Sequence, residues 1–157
     1  MSDSRKVRMT LESVQDGSSH LHTYRGEWFR KEKSIFIRYS EPAALNEPDA
    51  GEVRTLLKYR LDELSIVRRG VIESEQLFVQ GLRRTGRYHS SMTSFELETD
   101  TEMLSMQVPD GKGGSEEAAV LPTELPFTLE WKYELHVGEQ TSGRFHIRLH
   151  IQEETSE

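Results

Sequence analysis

Apolar and polar side chains alternate along most of this chain, most regularly near its C-terminus. From Phe127 to Val137 every odd position is apolar or aromatic (Phe127, Leu129, Trp131, Tyr133, Leu135, Val137), and Thr128, Glu130, Lys132, Glu134 and His136 fill the even ones. From Arg144 to Ile151 the pattern returns, with Phe145, Ile147, Leu149 and Ile151 set against His146, Arg148 and His150. Successive strand residues point to opposite faces, so both runs predict strands with one packed face and one wet face. Gly138 and Gly143 bracket the connection, and the pair reads as a hairpin. Pairing Gly138 with Arg144 leaves the loop Glu139 to Gly143, and sets Glu134 opposite Arg148 and Tyr133 opposite Leu149. Charge favours that register, because a shift of about two residues either way opposes Lys132 to Arg148 or Glu130 to Glu154.

Upstream, the same period predicts strands over Arg5 to Val14, His20 to Lys31, Ser34 to Ser40, Gly51 to Arg60, Leu64 to Arg69, Val71 to Val79, Arg83 to Met92 and Thr93 to Glu102. Asp16, Gly17, Ser18 and Ser19 read as one turn, and Asp62 with Glu63 as another. Gly26, inside the second run between Tyr24 and Trp28, predicts a bend or bulge. Glu41 to Ala50 reads as a loop. Pro109 to Glu124 carries three glycines, two prolines and four acids and reads as a flexible acidic loop, and Gln152 to Glu157 as a fraying tail. Apolar residues recur nowhere at helical spacing over three turns. Strands without a covering helix must hide their apolar faces on one another. Closing the sheet does this and removes its edges. The prediction is an all-β chain, one antiparallel up-and-down barrel of about 8–10 strands spanning residues 1–157 as a single domain.

Composition narrows the partners. At 34% hydrophobic and 30% charged, the chain rations its apolar residues to one face of its strands. Its longest aliphatic stretch, Ala118 to Leu121, is too short to span a bilayer, and no apolar run follows Met-Ser-Asp-Ser-Arg-Lys at the N-terminus. There is no cysteine, which excludes disulfides, thiolate catalysis and Cys-ligated zinc together. These features predict a cytoplasmic protein with no membrane partner. Net charge is −7, distributed unevenly: residues 51–90 hold eight basic and five acidic side chains, residues 91–157 four basic and fourteen acidic. An acidic chain repels phosphate backbones, so no nucleic acid is expected unless the Arg-rich middle makes one compact patch. Monomer and homodimer are both compatible with the sequence.

A family resemblance lies in the middle of the chain. Gly51-Glu-Val-Arg-Thr55, Arg68-Arg-Gly70, Phe78 with Gly81, Tyr88, and Phe95-Glu-Leu-Glu-Thr99-Asp-Thr101, followed by Tyr133-Glu-Leu-His-Val137-Gly138, resemble in order and spacing the YwiB-like family of small bacterial proteins of unknown function. The resemblance covers about residues 51–108 and 126–151. It implies a lipocalin-like, calycin-type barrel and supplies no catalytic residue.

Candidate chemistry is correspondingly sparse. Tyr24, Trp28, Tyr39, Phe95, Trp131 and Tyr133 place rings in the inward phase, the composition of a ligand pocket and equally of a filled core. Among Arg68, Arg69, Arg83, Arg84 and Arg87, alternation turns some inward, where a guanidinium would grip a carboxylate or phosphate. The competing reading leaves them on the surface, paired with Glu96, Glu98 or Asp100. The candidate ligand-binding set is therefore Tyr24, Trp28, Tyr39, Arg68, Arg87, Phe95, Trp131 and Tyr133, for a small amphipathic or anionic ligand. A filled barrel acting as an interaction or structural module is the alternative. In the charge-chosen register His136 stands opposite His146 and His150 opposite Lys132, with no carboxylate placed as a third ligand, so no metal is expected. Nucleophile elbows, phosphate loops and His-Glu-x-x-His are absent, so no catalytic residue or cofactor is assigned.

Overall fold

Alternation sets which side chains turn inward, and hydrogen bonding between neighbouring runs does the rest. A computed structural model describes residues 4–42, 52–107 and 125–154. They form ten strands: β1 Arg5–Gln15, β2 Ser18–Lys31, β3 Ser34–Pro42, β4 Glu52–Arg60, β5 Glu63–Gly70, β6 Ile72–Val79, β7 Arg83–Ser90, β8 Ser94–Gln107, β9 Phe127–Val137 and β10 Gln140–Glu153. Each pairs antiparallel with the next, and β1 pairs with β10, so the sheet closes on itself. Closure satisfies the backbone donors and acceptors that an open sheet would expose at two edges.

Inward positions make the core. Val7 and Met9, Ile35 and Ile37, Leu57, Leu64, Phe78, Phe127, Leu129, Leu149 and Ile151 are almost wholly removed from water. Each large side chain buried this way contributes about 1.5–3 kcal/mol of transfer free energy. Rings pack on rings: Trp28 lies 6.0 Å from Phe127, and Phe78 sits 5.9 Å from Trp131 and 4.7 Å from Tyr133. The odd-numbered residues of β9 face this interior, as their alternation requires.

Three local expectations are corrected. Gly26 sits in an unbroken ladder with β1 and is the last residue of β2 paired with β3, with no bulge in either ladder. The glycine is needed for close approach: a Cβ there would meet the Arg38 carbonyl oxygen at 2.3 Å and the Met9 and Tyr39 side chains at 2.9 Å. Glu41, read as the start of a loop, continues β3 and pairs with Val53. The C-terminal hairpin turns tightly at Gly138-Glu139, with Gly138 at a φ of 65° that glycine adopts without strain, and a bulge falls between Thr141 and Gly143. Its register therefore opposes Glu134 to Arg144 and Tyr133 to Phe145, in place of Arg148 and Leu149. Both registers preserve the inward face and give Glu134 an arginine, so charge could not separate them. The bulge could.

β8 runs to Gln107, beyond the expected end at Glu102. A bulge between Thr101 and Met103 moves the inward phase from Leu97, Thr99 and Thr101 to Leu104 and Met106, which ended the visible alternation early. The proposed loop at 109–124 and most of the stretch from Glu41 to Ala50 lie outside the described residues. No helix among the described residues is long and apolar enough to cross a membrane.

Candidate functional site

The barrel wall made by β3 to β6 departs from the apolar rule. Following each inward phase to its end gives Ile35, Ile37, Tyr39, Glu41 on β3; Leu57, Thr55 on β4; Leu64, Ile66, Arg68 on β5; and Phe78, Gln76, Ser74 on β6. The ladders set Tyr39, Thr55, Arg68 and Ser74 side by side in one inward row. Polar groups in the inward phase need partners, because an unmet buried charge is costly.

They find one another. Thr55 Oγ1 donates to Glu41 Oε2 at 2.7 Å, Arg68 Nε donates to the same oxygen at 3.2 Å, and Arg68 Nη1 reaches Gln76 Oε1 at 3.5 Å. The Arg68 side chain is 29% exposed and that of Glu41 19%, so the pair sits in a partly dry environment. Tyr24 and Tyr39 lie beside it with ring centroids 4.9 Å apart. Burial pushes both phenols up from their ordinary range, and the nearby Glu41 carboxylate pushes them further. Burial likewise carries the Tyr133 phenol up to about 12, against the opposing pull of Arg68 and Gln76. Neutral phenols around a guanidinium–carboxylate pair can donate hydrogen bonds and cannot neutralise an added anion.

Next to this pair is a cavity of about 70 Å³, with Tyr39, Arg68, Gln76, Trp131 and Tyr133 among its walls. It is far below the 300–1,000 Å³ usual for drug-sized ligands. Trp131 buries its indole Nε1 without a hydrogen-bond partner among the described residues.

Of the residues singled out from the sequence, Tyr39, Arg68, Trp131 and Tyr133 line this cavity, and Tyr24 stands against Tyr39. Trp28 is buried elsewhere in the core, against Phe127. Phe95 is 37% exposed and stacks on Tyr88 at a centroid distance of 5.0 Å. Arg87 does not turn inward: its side chain is 71% exposed, on the outer face beside Glu75. Arg83 pairs outside with Glu98. Glu41, Thr55 and Gln76 went unrecognised, although each occupies the inward phase of its strand, and a polar residue in that phase was the available signal.

The corrected hairpin also rearranges the histidines. His136 faces Thr141 and Glu98, and His146 faces Lys132. Asp100, Glu134 and His136 then offer ligand atoms within 4.8 Å of one another on the outer face, where no third carboxylate ligand had been expected. Arg144 Nε already donates to Glu134 at 2.8 Å, and His136 Nε2 lies 3.3 Å from the same carboxylate, so two of the three are engaged with each other and with an arginine. The Glu130 carboxyl is held below its ordinary range: burial raises it, and hydrogen bonds from His146 and Gln107 outweigh that.

The fold and its interior define a closed, ten-stranded, up-and-down antiparallel β-barrel with an apolar core and, among the described residues, an inward Arg68–Glu41 ion pair. Residues 6–149 match the family described as Domain of unknown function (DUF1934), and the chain belongs to that family. It is 25% identical over 144 residues to the uncharacterized β-barrel protein YwiB of Bacillus subtilis (strain 168), covering 89% of this chain and 88% of that one. The crystal structure of the ywiB protein from Bacillus subtilis superposes with a TM-score of 0.74 at 22% identity, covering 97% of this chain and 94% of the other, a likeness of fold.

Proposed function

We propose that the barrel is a receptor for a small anion, of carboxylate or inorganic phosphate size, gripped by Arg68. The observation that carries this reading is that the inward guanidinium already holds a carboxylate, that of Glu41, with a hydroxyl donor from Thr55 on the same oxygen. Glu41 is then a resident stand-in for the ligand, and binding exchanges one carboxylate for another. The cavity size supports a ligand of a few atoms over the amphipathic one that ring content alone suggested. A cysteine-free composition supports a cytoplasmic setting.

The same small cavity supports the second reading, a filled barrel acting as a scaffold for protein contacts. Titration of acetate and inorganic phosphate, followed by tryptophan fluorescence, separates the two. In the parent chain the response is weak and saturable. Glu41→Gln removes the competitor and tightens binding roughly tenfold, and Arg68→Leu abolishes it, with circular dichroism confirming that both variants fold. A flat titration in both the parent and the Glu41→Gln protein rejects the receptor and leaves the scaffold.

A further inference from the structure

The outer face of β1 to β5 carries a second arrangement of arginines, independent of the interior site. Arg8 on β1 stands directly opposite Arg25 on β2, and Arg54 on β4 directly opposite both Ser40 on β3 and Arg69 on β5. The β2–β3 ladder ends at the Gly26–Tyr39 pair, and just past that end Arg25 and Ser40 line one groove with Arg38, Arg54 and Arg69, so Arg8, Arg25, Arg38, Arg54 and Arg69 form a band of cations over five strands.

Like charges directly opposite on adjacent strands destabilise a sheet, and this face holds two such pairs. Arg25 meets Glu154 at 3.3 Å and the neighbouring Arg38 meets Glu27 at 2.6 Å. For Arg8, Arg54 and Arg69 no ion pair occurs among the described residues. Arg25, Arg38, Arg54 and Arg69 share one outer groove of about 720 Å³, floored by Leu56 and Val67 and containing a single acid, Glu27. Strand order explains how a chain of net charge −7 keeps such a face: acid-rich β8 and β9 stand on the far side of the barrel.

We infer that this band is a track for the backbone of a single-stranded nucleic acid. An extended band of cations fits a linear polyanion, and arginine matches phosphate geometry through bidentate hydrogen bonds. Four residues along β2 and β3 from Arg25 and Ser40, on the same outward surface, Phe29 and Phe36 stack face to face at 5.0 Å, with Arg38 over one ring at 5.5 Å and Lys58 over the other at 5.7 Å. Aromatic rings interleaved with cations are what unpaired bases use, while a duplex hides its bases from a flat sheet face. Net charge argued against nucleic acid unless the Arg-rich middle made one compact patch. The band differs from that condition: it is extended, and it joins Arg54 and Arg69 of the middle to Arg8 and Arg25 from outside it, residues that the fold brings together.

Fluorescence anisotropy of short labelled oligothymidylate and oligouridylate against the full chain, across a salt series, tests the assignment. Four phosphates neutralised by Arg8, Arg25, Arg54 and Arg69 give a slope of log K against log salt of about −3, at about −0.7 per phosphate on a single strand. Arg54→Gln with Arg69→Gln halves that slope to about −1.4 and weakens binding at least tenfold at low salt. Arg83→Gln with Arg87→Gln, outward but beside acids, leaves binding unchanged. All four positions are exposed, and an unaltered melting curve confirms folding. Absence of oligonucleotide binding at low salt, or equal binding by the Arg54/Arg69 variant, overturns the inference. So does preferential binding to vesicles containing anionic lipid, which would make the face a membrane contact.

Discussion

Arg68 and Arg69 are neighbours in sequence and opposites in circumstance. One step of the strand period turns the first into the barrel, where it is largely buried against Glu41, and the second into water, level with Arg54. Inside, a guanidinium is tolerated because a carboxylate, a hydroxyl and an amide satisfy it. Outside, solvent screening lets two arginines stand side by side. The same side chain is thus a structural commitment at one position and an adjustable surface charge at the next.

The largest expected effect breaks the inner member. Arg68→Leu leaves the Glu41 carboxylate in a partly dry site without its cation, and destabilises by about 3 kcal/mol, the low end for a buried pair because both side chains retain some exposure. Arg69→Leu stays within about 0.5 kcal/mol of the parent. Urea denaturation of the two variants measures the contrast directly. Replacing both partners, Glu41→Leu with Arg68→Leu, recovers most of the loss, since what costs is the orphaned charge. Equal stability losses at 68 and 69 would erase the distinction between the two faces.

The inner wall also responds to alkali. Burial raises the Tyr133 phenol to about 12, above the ~10 of an unfolded chain, so the folded state binds the proton more tightly. The sign follows: stability from this group is complete below about pH 10 and is lost as pH rises from 10 towards 12, by roughly 3 kcal/mol in all. Tyr24 and Tyr39 are shifted in the same direction and add to the slope. Chemical denaturation midpoints measured from pH 9 upward should fall, and Tyr133→Phe should flatten the fall. Gly26→Ala probes the same interior by crowding: its new Cβ meets the Arg38 carbonyl, at a cost of about 2 kcal/mol and a lower melting temperature in calorimetry.

How much of this was legible in the sequence follows from the same period. Alternation identified the strands, the inward rings of β9 and β10 and the closed sheet, because the pattern is imposed by burial itself. It could not fix the hairpin register, where candidate pairings an even number of residues apart bury the same face. Nor could it follow β8 through the bulge at Glu102, which reverses the phase. Arg68 was readable as a candidate, but Glu41, twenty-seven residues away, becomes its partner only through two strand pairings. The outer band is less legible still. Arg8, Arg25, Arg54 and Arg69 form no motif along the chain; strand pairing sets them in two opposed pairs, and the fold puts Arg25, Arg54 and Arg69 on one groove.

The smallest effect sharpens the comparison from the outside. Arg54 and Arg69 oppose each other directly, so Arg69→Gln removes a repulsion and stabilises the barrel by a few tenths of a kcal/mol at low ionic strength. The gain should vanish at about 1 M salt, where screening reaches across only ~3 Å. A weaker salt dependence is expected for Arg68→Leu, because its 3.2 Å pair with Glu41 is partly buried and such pairs are screened less. Paired melting curves at low and high salt therefore separate the two arginines by the environment each charge occupies. A salt-independent gain at 69 would mean that Arg54 and Arg69 do not sense each other, and with that the band would lose the strain that an arriving phosphate is expected to relieve.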